Sequence, residues 1–250
     1  MSIFFKIEIK NKIIINSILL RNMSTESEMF NFVILSIEGN IGSGKTTLME
    51  CLKNNYKNNP NFIFLKEPVD EWETIKDVNG TTILEKFYLN QDKYSFPFQM
   101  MAYISRLNVL HQALQDIKPN RKYIIITERS LNTDRYVFAK MLYETGKMEE
   151  VCYQIYLNWF DTFSKEFPVH KVVYVKTEPE ICHARISKRA REGENNIPLE
   201  YLKMCDKYHE DMMENNHKNA EIKVIDGNID VYENKNQLHD WLYEINWFIR

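Results

Sequence analysis

Three glycines, a lysine and two threonines fall within nine residues, Gly39-Asn40-Ile41-Gly42-Ser43-Gly44-Lys45-Thr46-Thr47. Gly39, Gly44, Lys45 and Thr46 keep the spacing G-x-x-x-x-G-K-[ST] of a phosphate-binding loop. The residue types suit that chemistry. Glycines let backbone N–H groups curl round an anion, and the N-terminus of a following helix adds partial positive charge. A lysine can reach the outer phosphates of a nucleoside triphosphate, and a threonine hydroxyl can sit on Mg²⁺. A second candidate lies in FLKEPVDEW, where Glu67 ends an apolar run and Pro68 keeps it extended. A carboxylate there can take a proton from an attacking hydroxyl, or it can be a solvated acid paired with Lys66. YIIITERSLNTDRY repeats the pattern, with Glu128 and Arg129 closing an apolar run and Asp134 and Arg135 just beyond. An acid at such a position can hold Mg²⁺, and a guanidinium can meet phosphate charge.

Arg185, Lys188, Arg189 and Arg191 cluster ahead of a Gly-Glu-Asn-Asn-Ile-Pro stretch. They either complement a helix dipole or close over a transferring phosphoryl group; Arg185 and Arg189, four apart, share a helical face. Gln99 and Arg106 are seven apart and so fall on one face among Met100, Ala102 and Leu107. A polar pair in an apolar setting needs partners, either solvent or a planar ligand with donors and acceptors. The neighbouring aromatics Phe87, Tyr88, Tyr94, Phe96 and Phe98 read mostly as core.

The elements that must position these residues follow from periodicity. Short apolar, β-branched runs at 32–37, 62–65, 123–127, 171–175 and 222–225 predict five strands. Stretches of helical period predict helices over 45–56, 80–90, 96–117, 134–145, 148–165, 178–191, 198–214 and 236–249. That alternation implies an α/β fold, a doubly wound parallel sheet with helices on both faces, its sites at the carboxyl ends of the strands. At 250 residues and 44% hydrophobic, the chain can bury one large core. A net charge of −3 leaves no electrostatic footprint for nucleic acid. The four cysteines are scattered and the six histidines show no metal-ligand rhythm, which argues against a disulfide framework or a zinc site and for a reducing compartment, the cytoplasm. No run reaches the ~18 apolar residues that a bilayer span needs. Residues 1–30 read as an N-terminal extension. Lys6, Lys10, Lys12 and Arg21 among apolar runs, with Glu8 the one acid before Met23, suit a mitochondrial transit peptide. A disordered extension, or a start at Met23, suits them as well.

Taken in order, EGNIGSGKTT, EPVDEW, FPFQ, ERSLNTDRYVF, RISKRAREGE and IPLEYL resemble the deoxyribonucleoside kinase family, the relatives of deoxycytidine and deoxyguanosine kinases, over roughly residues 32–231. The resemblance implies a P-loop NTPase fold with a five-stranded parallel sheet and a LID, in a kinase domain spanning 31–250. It implies transfer of phosphate from ATP or another NTP, with Mg²⁺, to the 5′-hydroxyl of a deoxynucleoside in nucleotide salvage. Carried over, it makes Glu67 the general base, Lys45, Arg129, Arg189 and Arg191 the phosphate clamp, and Thr46 and Glu128 the surroundings of Mg²⁺. Tyr88 and Glu194 match the pair that bonds the 3′-hydroxyl, Gln99 the reader of the base edge, Trp72 and Phe138 the pocket walls, and Arg185 an arginine that stacks on adenine.

Arg106 and Asp134 match a linked pair in the members that accept deoxycytidine, deoxyadenosine and deoxyguanosine; thymidine-preferring relatives carry small or apolar residues there. Asp134 would accept from an exocyclic amino group, which thymine lacks, and Arg106 would keep it ionised. The bland alternative is a salt bridge bracing two helices. Gly193 departs from the family's first LID acid and Val231 from an aromatic that stacks on adenine. Family members are usually homodimers, and YQIYLNWF offers either such a surface or core. A nucleoside monophosphate kinase, such as thymidylate kinase, shares the loop and Asp134-Arg135-Tyr136, yet EPVDEW lacks the cations that its phosphorylated acceptor wants. A nucleotide-dependent switch would need an acid that Asn234-Lys235-Asn236-Gln237 does not supply.

Overall fold

The computed structural model describes residues 32–118, 120–189, 197–217, 219–231 and 234–249. The N-terminal extension, Arg191, Gly193 and Glu194 lie outside the described residues. β1 (Phe32–Glu38) leads through the glycine-rich loop into α1 (Lys45–Asn55), and β2 (Phe62–Leu65) into a short α2 (Val69–Trp72). Next come α3 (Ile83–Leu89), α4 (Gln91–Asp116) and β3 (Tyr123–Glu128). α5 (Leu131–Thr133) runs through a π-helical stretch, Asp134–Ala139, into α6 (Lys140–Glu144). α7 (Glu150–Phe163), β4 (Lys171–Lys176), α8 (Pro179–Arg189), α9 (Leu199–Asn215), β5 (Glu221–Asp226) and α10 (Lys235–Ile249) complete the chain. No helix among the described residues is long and apolar enough to cross a membrane.

The five strands form one sheet in the order β2-β3-β1-β4-β5, each pair parallel. β1 lies at the centre, with Phe32 opposite Tyr123 and Leu35 opposite Lys171. Successive side chains of a strand point to opposite faces. Accordingly Phe32 and Ile34 join a core with Trp72, Phe98 and Tyr156, while Leu35 and Ile37 join another with Leu48, Leu52, Trp241 and Ile245. Burial on both faces is why β1 reads as a continuous apolar run rather than an alternating one.

Three expectations need correction. α4 begins at Gln91 rather than 96, because the Asn90 side chain accepts the Lys93 N–H at 3.1 Å and caps the helix, leaving Pro97 inside it. The helix expected over 134–145 starts at Leu131 and carries the π-helical turn, a feature common where a helix serves a site. α3 starts at Ile83, not 80, because Thr82 and Glu85 form a reciprocal capping box. YQIYLNWF divides between core and surface: Tyr156 and Phe160 are buried, while Ile155 and Trp159 are exposed.

Candidate active site

The carboxyl ends of β1, β2 and β3 open on a cavity of about 540 Å³. On its floor the loop Gly39–Thr47 leads into α1, whose N-cap, Gly44, is left-handed and contributes no side-chain cap. The first N–H groups of α1 are therefore left to an anion. Gly42 has φ of 80°, and a Cβ there would lie 2.7 Å from the Cys182 carbonyl, so α8 packs onto the loop backbone itself. Asn40 donates to the Leu202 carbonyl at 2.8 Å and accepts the Ile41 N–H at 2.8 Å, tying the loop to α9. Lys45 is buried and donates to the Asn40 carbonyl at 2.6 Å. Burial, and secondly the nearby Arg129 charge, bring its pKa down to about 7.

Glu67, half-buried between β2 and α2, does not pair with Lys66, which bonds Glu50 at 2.9 Å. Instead its Oε1 accepts from Arg106 at 2.8 Å and its Oε2 from Arg129 at 2.9 Å. Burial would raise its pKa, but Arg129, Arg106 and Lys45 together pull it to about 2. Glu128, at the end of β3, accepts the Thr46 hydroxyl at 2.5 Å. That pair of hard oxygens beside the anion-binding loop fits Mg²⁺, which prefers one or two protein oxygens with phosphate and water completing its shell. Among the described residues no three His, Cys, Asp or Glu side chains converge as a metal cage, so the donor phosphates would supply the remaining ligands.

Arg106 and Asp134 are buried and linked, Nε to Oδ2, at 2.9 Å. The same guanidinium donates to the Glu128 carbonyl at 2.7 Å and to Glu67, so it does more than brace two helices. Arg106 stands behind the cavity wall and acts on it through the two carboxylates; Asp134 and Gln99 line it. Burial drives the Asp134 pKa up to about 6 despite Arg106. The Gln99 Oε1 is buried without a hydrogen-bond partner, as a group awaiting a ligand would be. Trp72, tied to Ser105 at 2.8 Å, and Phe138, under the Arg129 guanidinium at 5.3 Å, form walls, with Tyr88 edge-on to Tyr201.

Arg185, Lys188 and Arg189 line the same cavity, as do Ile229, Asp230, Val231 and Trp241. Arg185 donates to the carbonyls of Gly227 at 2.8 Å, Asn228 and Ile229 at 3.3 Å and Ser43 at 3.4 Å, joining α8 to the loop and to the segment after β5. The structure thus gathers every predicted site residue within its described part, with Gly39, Asn40 and Arg106 set just behind the lining. Residue-level reading misses Tyr201, Asp230 and Trp241. Asp230 follows the last strand at the sheet's ligand-binding end, a placement that could have flagged it.

Cations, an anion-gripping loop and a carboxylate in one cavity, lined also by an amide and a second acid, suit in-line transfer of a phosphoryl group to a hydroxyl held beside Glu67. The known proteins agree. Residues 35–250 match the family model described as deoxynucleoside kinase. A probable deoxycytidine kinase of fowlpox virus (strain NVSL) is 33% identical over 86% of this chain and 87% of its own. Human deoxycytidine kinase is 34% identical over 76% of this chain and 78% of its own, and human mitochondrial thymidine kinase 2 is 33% identical over 75% and 67%. A loop that grips phosphate, a carboxylate set among arginines and a match running through all five strands converge: the chain belongs to the deoxynucleoside kinase family and is a nucleotide-dependent kinase.

Proposed function

We propose that this protein phosphorylates the 5′-hydroxyl of deoxyguanosine, deoxyadenosine or deoxycytidine in preference to thymidine, a salvage reaction using ATP or another NTP with Mg²⁺. The observation that carries this reading is Glu67, held by two arginines in the cavity that also contains the phosphate-binding loop and Asp134. In this reading the deoxynucleoside lies with its base between Gln99 and Asp134, its ring flanked by Trp72 and Phe138, and its sugar near Tyr88. The triphosphate tail lies along residues 39–47, with Arg185 and Arg189 on the donor side.

Glu67 takes the 5′-hydroxyl proton as the oxygen attacks the γ-phosphorus, and the bond to the β,γ-bridging oxygen breaks to release the nucleoside diphosphate. Arg129 and Lys45 neutralise charge on the transferring group. Mg²⁺ beside Thr46 and Glu128 would offset charge on the β- and γ-phosphates. Asp134 selects bases that can donate an amino hydrogen, and thymine, which has a carbonyl oxygen in place of that amino group, would forgo the bond at a cost of about 1–3 kcal/mol. A homodimer through the exposed Ile155 and Trp159 of α7 accompanies this reading.

The deciding experiment offers the four deoxynucleosides in competition, and thymidine monophosphate separately, with labelled ATP. Amino-bearing deoxynucleosides should be phosphorylated first. Preference for thymidine would refute the role of Asp134, and phosphorylation of thymidine monophosphate alone would refute the acceptor class.

A further inference from the structure

Glu38 closes β1 one residue before the phosphate-binding loop, and its side chain is fully shielded from solvent. Its Oε1 accepts the hydroxyls of Ser36 and Ser130, each at 2.6 Å, and its Oε2 accepts that of Thr133. A buried carboxylate is costly unless its lone pairs are filled. Burial pushes this carboxyl's pKa up, but His217 and the three hydroxyls outweigh it and hold the group below its ordinary range. An apolar side chain would fill the same place without such provision, so the reason for the acid lies in what it holds.

What it holds is the turn that presents two site residues. Ser130 directly follows Arg129, and Thr133 directly precedes Asp134. Arg129 has φ of 62°, a left-handed conformation uncommon for a residue with a Cβ, and its N–H donates to the Ile37 carbonyl at 3.0 Å. Such a conformation persists where its surroundings over-determine it. β1 does so twice over, with the backbone of Ile37 gripping Arg129 and the carboxylate of Glu38 gripping the residue after it.

We propose that Glu38 is a positioning residue for phosphoryl transfer: through Ser130 and Thr133 it sets Arg129 and Asp134 in fixed register with the loop that starts at Gly39. One carboxylate thereby places both the cation for the moving phosphate and the acid for the base. This inference rests on the roles given to Arg129 and Asp134 above.

The test uses Ser130→Ala, Thr133→Val and Thr133→Ser in the full-length protein, with steady-state kinetics on deoxycytidine and ATP beside thermal unfolding. Ser130→Ala should lower kcat by about 10- to 100-fold with the deoxycytidine KM unchanged, since slight misplacement of a group acting in the transition state has effects of that order. Thr133→Val, which keeps the branched shape but not the hydroxyl, should raise the deoxycytidine KM, and Thr133→Ser, which keeps only the hydroxyl, should restore it. The inference is overturned if Ser130→Ala and Thr133→Val both retain parental kcat and KM, or if Thr133→Ser is as impaired as Thr133→Val. A parent enzyme inactive on every deoxynucleoside would instead defeat the proposed function. If Thr133→Val unfolds, Ser130→Ala decides the question alone.

Discussion

Burial and the Arg129 charge bring the Lys45 pKa down to about 7, into the range of neutral pH, while it rests on the Asn40 carbonyl. A triphosphate tail replaces that carbonyl with anionic oxygens and favours the protonated form. Binding of ATP near neutral pH should therefore take up protons, and affinity should weaken by up to about tenfold per pH unit as pH rises above the Lys45 pKa. Calorimetry in buffers of different ionisation enthalpy measures the uptake; its absence would show that Lys45 is already fully charged. Glu67 makes the opposite case. Its folded pKa of about 2 lies below the ordinary 4.5, so the stability it contributes is fully present above pH 4.5 and is lost as pH falls towards 2. Urea unfolding of the parent should weaken across that window more steeply than that of Glu67→Gln. The same substitution should lower kcat by about 10² to 10⁴, the usual worth of a positioned base. Near-parental turnover would remove Glu67 from the chemistry.

Among the elements, the glycine-rich loop is the least forgiving. Gly42→Ala would place a Cβ 2.7 Å from the Cys182 carbonyl in a backbone already at φ of 80°, so α8 must retreat from the loop. Strain of this kind costs about 1–3 kcal/mol, and the variant should melt several degrees lower and lose the thermal shift that ATP gives the parent. The loop and its flanking strand and helix are legible in sequence because turn chemistry, periodicity and motif agree there. The five strands are equally legible, each a short β-branched run between polar residues. α2 is not, because four residues carry no period, and the π-helical turn is not, because Asp134–Ala139 has the same side-chain order in either helix type. Site residues at strand ends, such as Glu67 and Glu128, follow from topology alone. The bond from Arg106 to Glu67 does not. Spacing aligns Arg106 with Gln99 along α4, but only the docking of α4 beneath β2 and β3 brings the guanidinium to the second carboxylate.

For the whole molecule, α7 leaves an apolar face exposed. Val151, Ile155 and Trp159 recur at intervals of four, and Ile104 of α4 is exposed as well. Patches of large apolar side chains mark association surfaces, so Trp159→Glu should convert the proposed dimer into monomers in sedimentation measurements; a monomeric parent would refute the dimer. The central place of β1 has another consequence, which concerns how the chain is made. Among the described residues β1 pairs with Tyr123–Glu128 and Lys171–Tyr174, both far downstream. At ordinary synthesis speeds of about 5–20 residues per second, the apolar strand Phe32–Glu38 leaves the ribosome roughly 7 to 30 s before its second neighbour exists. During that interval it is an adhesive segment in need of shelter, so the yield of active kinase should rise with added chaperone.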